Sequence, residues 1–425
     1  VPYLDYAASA PLRREVFEAM RPFLEHPVGN PSSQHGPGRA ARAAIETARE
    51  QVAALVGAQP GEVIFTSGGT EADNLAVKGT VLARDRDRRH LVVSAVEHHA
   101  VLDAAEWAAL DAGASVSLAP VDGLGRVDLG QLAALVEPGR TALVALMAAN
   151  NEVGTVQPLR AASELAHAAG ALLHCDAVQA ARHPGVDMAA DGLDLVALAA
   201  HKLGGPTGIG ALVARSGVSL RPLVHGGGQE RGMRSGTMAA AAIAGFGAAA
   251  SLAMAEREAG GAELARLRAR LLDGLRALQA DVEVNGDPAN ALPGLLSVRL
   301  PGRRSEDVLL LLDRYGVACS AASACASGAI GASHVLLAMG RDDTAARETV
   351  RLSLGHESSD ADVDAAIEGF RRCFEVLDAG APADAGSAGA AASAASAGSA
   401  GAAGSAGSAS GAGRGRAAVP SRGAP

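Results

Sequence analysis

The sequence predicts an α/β protein: a largely parallel sheet covered by helices, joined to a smaller α+β region. Two observations predict it. Short apolar runs alternate with segments whose apolar positions recur at helical spacing. The runs are apolar along their length, as strands buried on both faces by crossover helices require.

In chain order, residues 37–56 carry a helical rhythm through Ala40, Ile45, Ala48, Val52 and Leu55. Residues 62–66 form a short buried strand, and 70–78 are helical. Further strands are expected at 90–94, 115–119, 141–147, 171–175 and 193–199. Helices at 101–110 and 159–168 lie between some of them. A helical stretch at 256–278 then precedes a strand at 295–300, a helix at 305–314 and a strand at 350–354. These last elements form the smaller α+β region. Its expected bounds are 1–12 and 251–377, around a large domain at 13–250. From about Ala379 the chain turns to Ala, Gly and Ser repeats, which bury too little apolar surface to offset their ordering entropy. Residues 378–425 are therefore expected to form a disordered tail.

Composition narrows the function. The 425 residues allow one large domain or two ordinary ones, and 48% hydrophobic residues supply a sizeable core. Aromatic residues are only 2%, so that core rests on Ala, Val and Leu. A net charge of −9 gives no general pull toward nucleic acid or an anionic membrane. The four cysteines, Cys175, Cys319, Cys325 and Cys373, are too scattered for a disulfide scaffold and lack zinc-site spacing, so no intrinsic metal is expected. The opening VPYLDYAASAP lacks the basic segment and apolar run of a signal peptide. A reducing cytoplasm, where a free thiol survives, fits these features.

Six motifs carry chemistry. In Phe65-Thr-Ser-Gly-Gly-Thr-Glu71 a strand runs into two glycines, a hydroxyl and a helix start. Helix N-terminal N–H groups approached through glycines cradle a phosphate, although the same pattern serves as an ordinary turn. In Leu195-Val-Ala-Leu-Ala-Ala-His201-Lys202-Leu-Gly-Gly-Pro an apolar strand delivers a lysine into a Gly/Pro-rich loop. Desolvation there would lower its pKa, as a Schiff-base amine needs; alone, such a lysine is usually a surface charge. The strand before Asp176 ends in His174-Cys175-Asp176-Ala-Val-Gln179. Asp176 suits a protonated pyridine nitrogen and equally suits a helix cap.

Glu97-His98-His99 follows another strand, where an imidazole titrating near neutrality could move protons. Asn151, in Ala149-Asn-Asn-Glu-Val-Gly154, is placed to donate to a carboxylate or to form a turn. Cys325 lies in the small-residue run Cys319-Ser-Ala-Ala-Ser-Ala-Cys325-Ala-Ser-Gly, expected to be a mobile loop. Cys319 reads as a small buried hydrophobe.

Taken in order, YLDYAASAP, GNPSSQHG, FTSGGTEADNLAVKG, EHHAVLD, ANNEVGTVQP, HCDAVQ, HKLGGPTGIGAL, HGGGQERGMRSGT, SACASG, SHVLLAMG and VRLSLG follow one family. The chain resembles the cysteine desulfurases, fold-type I pyridoxal-phosphate enzymes of the class V aminotransferase group, from Tyr3 to about Leu377. That resemblance implies a mostly parallel seven-stranded sheet and pyridoxal 5'-phosphate as cofactor. It implies a Schiff base on Lys202, Asp176 on the pyridinium nitrogen, Gln179 on the phenolic oxygen, and His98 stacked on the ring as acid or base. Gly69, Thr70 and His201 would hold the phosphate, completed by Thr237 from the other subunit of a homodimer. Asn151 and Arg351 would grip the substrate carboxylate, and Cys325 would take the sulfur of L-cysteine as a persulfide, releasing L-alanine. The longer cysteine loop resembles the branch serving iron–sulfur assembly and transfer-RNA thiolation, where Cys325 would pass sulfur to an acceptor protein or briefly ligate an iron–sulfur cluster. A selenocysteine lyase or an aminotransferase of the same fold is the alternative. Two departures stand out: Ala199 replaces a phosphate-binding serine, and Ala322 replaces a loop glycine.

Overall fold

The computed structural model describes residues 2–26, 29–321 and 332–380. Its larger sheet contains β1 (Val63–Thr66), β2 (His90–Ser94), β3 (Ser115–Ala119), β4 (Thr141–Ala145), β5 (Leu172–Asp176), β6 (Leu195–Ala199) and β7 (Gly210–Ala214). The strand order is β1-β7-β6-β5-β4-β2-β3. The β2–β3, β2–β4, β4–β5 and β5–β6 pairs are parallel, and β7 runs antiparallel to both its neighbours. Strands β2, β4 and β6 are buried along their whole length, whereas the edge strand β3 is largely accessible. Continuous apolar runs thus mark the sheet interior.

The scarcity of aromatic side chains shows in the helix packing. Helix Ala240–Ala255 lies against helix Gly36–Leu55 so closely that a Cβ on Gly247 would stand 2.6 Å from Ala48 Cα. Small residues replace bulk here, letting backbones approach each other.

A second, antiparallel sheet has the order β10-β11-β9-β8, from β8 (Glu283–Asn285), β9 (Leu295–Arg299), β10 (Ser320–Ala321) and β11 (Thr349–Ser353). Two helices cover it. Arg257–Leu278 buries Leu264, Leu267, Leu271 and Leu275, a stripe at helical spacing. Asp360–Gly380 buries Val363, Ala366, Phe370, Cys373 and Phe374. The chain's first residues join this sheet: Tyr3 bridges to Ala318 and Asp5 to Ser353, and Leu4 is fully buried in its core. The segment then crosses to the larger sheet, where Ala10 N–H donates to His201 O and Arg13 N–H to Gly204 O, each at 3.0 Å. Residues 2–380 belong to one compact unit. Residues 322–331, with Cys325, and the expected tail beyond Gly380 lie outside the described residues.

Candidate active site

Strands β6, β5, β4 and β2 are neighbours, and their carboxyl ends share one rim, where open α/β sheets place ligands. The loops leaving that rim carry Lys202, Asp176, Asn151 and His98. All four line one cleft of 230 Å³, together with Gly69, Thr70, Asp73, Gln179, Ala199 and His201. Residues separated by up to about a hundred positions in sequence meet because parallel strands deliver them to the same edge.

Asp176 is the last residue of β5 and is buried. Its Oδ1 accepts from Val178 N–H at 2.9 Å. Strand alternation turns Cys175 to the opposite face, into the core, where burial holds its thiol protonated. Lys202 ends a short 3₁₀ turn, Ala200–Lys202, after β6. Its Nζ donates to the carbonyls of Ala7 and Ala8, the latter at 2.9 Å. Gln179 Nε2 donates to the same Ala7 carbonyl at 2.7 Å. His201 Nδ1 lies 3.3 Å from Ser9 Oγ, and burial, with the Lys202 charge second, drives its pKa down to about 4, so the ring is neutral.

His98 caps helix His99–Asp111. Its Nδ1 accepts from Ala100 N–H at 3.1 Å. The cap fixes the ring and leaves Nε2 to carry the proton of the neutral form.

Lining the same cleft, helix Gly69–Leu82 begins with a glycine cap that has no side chain to satisfy the first-turn N–H groups. Thr70 adds a hydroxyl. Two glycines leave room for this turn, Gly69 within it and Gly210 of β7 beside it. A Cβ on Gly69 would sit 2.8 Å from Val178 Cγ2, and one on Gly210 would sit 2.6 Å from the Gly68 carbonyl carbon. This is the donor set for a phosphate. A buried carboxylate and a lysine complete a set that suits pyridoxal phosphate. Ala199 lines the cleft without a hydroxyl, so the helix N–H groups and Thr70 remain as donors.

Arg351 and Thr237 do not line this cleft. Arg351, on β11, is fully buried; Nη1 donates to Asn151 O at 3.1 Å and Nη2 to Asp5 Oδ1 at 2.9 Å. Its Nε has no partner among the described residues. Thr237 lines a separate depression with Ser67, Gly208 and Arg234.

Three buried acids were not singled out by the motifs. Asp73 lines the cleft, with Oδ1 at 3.0 Å from His174 Nε2. Its signal was an acid set in the apolar face of a helix, beside Ala72, Leu75 and Ala76. Glu97 is fully buried, and its Oε1 accepts from Met147 N–H at 2.6 Å. Burial holds its pKa well above the ordinary value, with the nearby Asp176 carboxylate adding to the rise. Glu152 accepts from Ser333 Oγ, and burial lifts its pKa to about 7.

Residues 2–366 match the profile of the Aminotransferase class-V family. The chain is 46% identical over 371 residues to an IscS-like cysteine desulfurase of Mycobacterium tuberculosis, covering 86% of this chain and 94% of that protein. It is 44% identical over 384 residues to a cysteine desulfurase of Cereibacter sphaeroides, covering 90% and 98%. A solved NifS-like protein superposes with a TM-score of 0.82 at 35% identity, covering 88% of this chain and 99% of that one. The fold and family are those of class-V aminotransferases. Within them, the chain belongs to the cysteine desulfurases. Membership implies dependence on pyridoxal phosphate. Among the described residues no helix is long and apolar enough to cross a membrane, and no group of His, Cys, Asp and Glu is arranged for a metal.

Proposed function

We propose that this cysteine desulfurase holds pyridoxal phosphate in the rim cleft and moves the sulfur of L-cysteine onto Cys325. The observation that carries the reading is the convergence of Lys202, Asp176, His98, Asn151 and the Gly69–Thr70 turn on one cleft. Bound there, the cofactor supplies an electron sink for chemistry at the substrate α-carbon. Lys202 would hold it, and its Nζ would take the substrate α-proton. Asp176 would keep the ring nitrogen protonated, Gln179 would bond the phenolic oxygen, and His98 would cover the ring and move a proton on Nε2. Gly69, Thr70 and His201 hold the phosphate, with Thr237 of the partner subunit completing a homodimeric site. Asn151 and Arg351 bind the substrate carboxylate, for which a guanidinium fork is suited.

Cys325 attacks as thiolate. The C–S bond of cysteine would break with its electron pair left toward the β-carbon as an S–S bond forms on Cys325, and two protons would return, one matching that lost by the Cys325 thiol to the β-carbon and the one held by Lys202 to the α-carbon, as alanine leaves. The persulfide then passes to an acceptor of iron–sulfur assembly or transfer-RNA thiolation, in the cytoplasm. The domain bounds at 12/13 and 250/251 belong to this same reading.

The test is alanine and sulfide release from L-cysteine by wild type and Cys325→Ala, with the visible band of the bound cofactor recorded in both. Alanine from wild type alone, with the band in both proteins, is the expected result. Equal alanine from both would remove Cys325 from the reaction and favour transamination or lyase chemistry.

A further inference from the structure

Strand β5 and helix Gly69–Leu82 bring three titratable side chains together. His174 and Asp176 are two residues apart on β5 and so point to the same face. Asp73 comes from the helix packed on that face. Asp73 is 1% exposed, His174 is fully buried, and Asp73 Oδ1 stands 3.0 Å from His174 Nε2. Asp73 and Asp176 both line the cleft. The titratable groups facing Asp73 are Asp176, His174, His98 and the nearby Glu97.

We infer that Asp73 is a positioning residue that stays un-ionised, hydrogen-bonded to neutral His174, so that Asp176 is the only carboxylate charge at this end of the cleft. Two carboxylates sharing a desolvated wall repel, and one keeps its proton. Asp176 is the one the cofactor reading needs as an anion, since it would be the partner of the ring nitrogen. It also has a backbone N–H donor of its own, at 2.9 Å. Asp73 has His174 instead, and burial holds that ring neutral, with a pKa near 4. A neutral imidazole can share one proton with an un-ionised acid but cannot balance a second negative charge. Burial, with the Asp176 charge next, raises the pKa of Asp73 in the same direction. The consequence is a single negative charge matched to a single pyridinium. The inference rests on the cofactor reading of the cleft.

The experiment uses the holoenzyme at neutral pH and three proteins: wild type, Asp73→Asn and Asp73→Ala. Infrared difference spectra of wild type minus Asp73→Asn should contain the C=O stretch of an un-ionised carboxyl group. Asparagine keeps shape and neutrality, so cofactor affinity should stay near that of wild type. Alanine leaves His174 Nε2 without its partner, and affinity should fall about tenfold. A carboxylate band in place of the acid band would show Asp73 ionised and overturn the inference. So would an asparagine variant that loses the cofactor as completely as alanine does. Absence of any cofactor band in wild type would instead sink the reading of the cleft itself, and the inference with it.

Discussion

Arg351 offers the most direct test of how the substrate is held. Its guanidinium is fully buried, with one nitrogen on Asn151 O and another on Asp5, whose side chain is 18% exposed. Replacing it by lysine keeps the charge and removes the fork. If Arg351 holds the substrate carboxylate as proposed, one of two parallel charge-assisted bonds to it is then lost, worth about 1.5–3 kcal/mol. Taken alone this lowers kcat/KM by roughly 10- to 150-fold. Asp5 already engages the guanidinium, so an incoming carboxylate gains less than it would from an unpaired arginine. The expected loss is therefore at the low end, about tenfold. It should fall on KM, since the carboxylate contact is equally present before and during reaction. Initial rates of alanine formation across a range of cysteine concentrations separate the two constants, and the visible cofactor band checks that the site is intact. An Arg351→Lys enzyme with full cofactor and unchanged KM would refute the assignment.

Three further outcomes follow from buried charge. Glu230 accepts from both terminal nitrogens of Arg49, at 2.9 and 2.7 Å, and from Phe65 N–H at 2.8 Å. Glu230→Ala leaves the buried Arg49 guanidinium with only the more exposed Glu46 and the Val63 carbonyl, and should cost about 3 kcal/mol, read as a lower urea midpoint; a shift equivalent to less than about 1 kcal/mol would contradict this. Glu152 keeps its proton to about pH 7 in the fold, against 4.5 as its ordinary value. The fold therefore binds more protons than the unfolded chain between those values. Stability present in full below pH 4.5 declines as pH rises through 7, by about 3 kcal/mol. Melting temperatures at pH 5 and pH 8 should differ more for wild type than for Glu152→Gln. Burial lifts the Cys319 thiol to about 12, so iodoacetamide at pH 8 should label Cys325 while leaving Cys319 untouched, as peptide mass spectrometry would register.

Much of the larger sheet was legible because its strands are apolar throughout and its helices keep a regular stripe. The 90–94, 115–119, 159–168 and 305–314 segments fall at their expected positions. Strand β7 was missed because Gly210–Ala214 directly continues the glycine loop after Lys202, and its apolar residues read as part of that loop. Helix Ala240–Ala255 carries apolar residues nearly all round, so it has no polar face to mark a period. The short strands β8 and β10 are too brief to show alternation. At the site, residues next to strand ends were legible, since glycines and polar side chains break the apolar runs there. Asp73 and Glu97 were not, because each stands inside an element or its flank and acts only through neighbours brought by other strands. Arg351 was named from family likeness alone; nothing in VRLSLG reveals that its charge is answered by Asp5, 346 residues away.

The Ala7 carbonyl, which receives both Lys202 and Gln179, belongs to a segment tied down by residues 318 and 353. A ribosome makes that segment before its anchors, which follow more than 300 residues later. Through most of synthesis the larger sheet can form while the strip beside its lysine stays unfastened. A nascent chain halted before β11 therefore has Lys202 but not the wall that positions it. On the proposed reading of the cleft, cofactor loading waits for Ser353, so truncations that end before β11 but spare every residue of the larger sheet should emerge colourless.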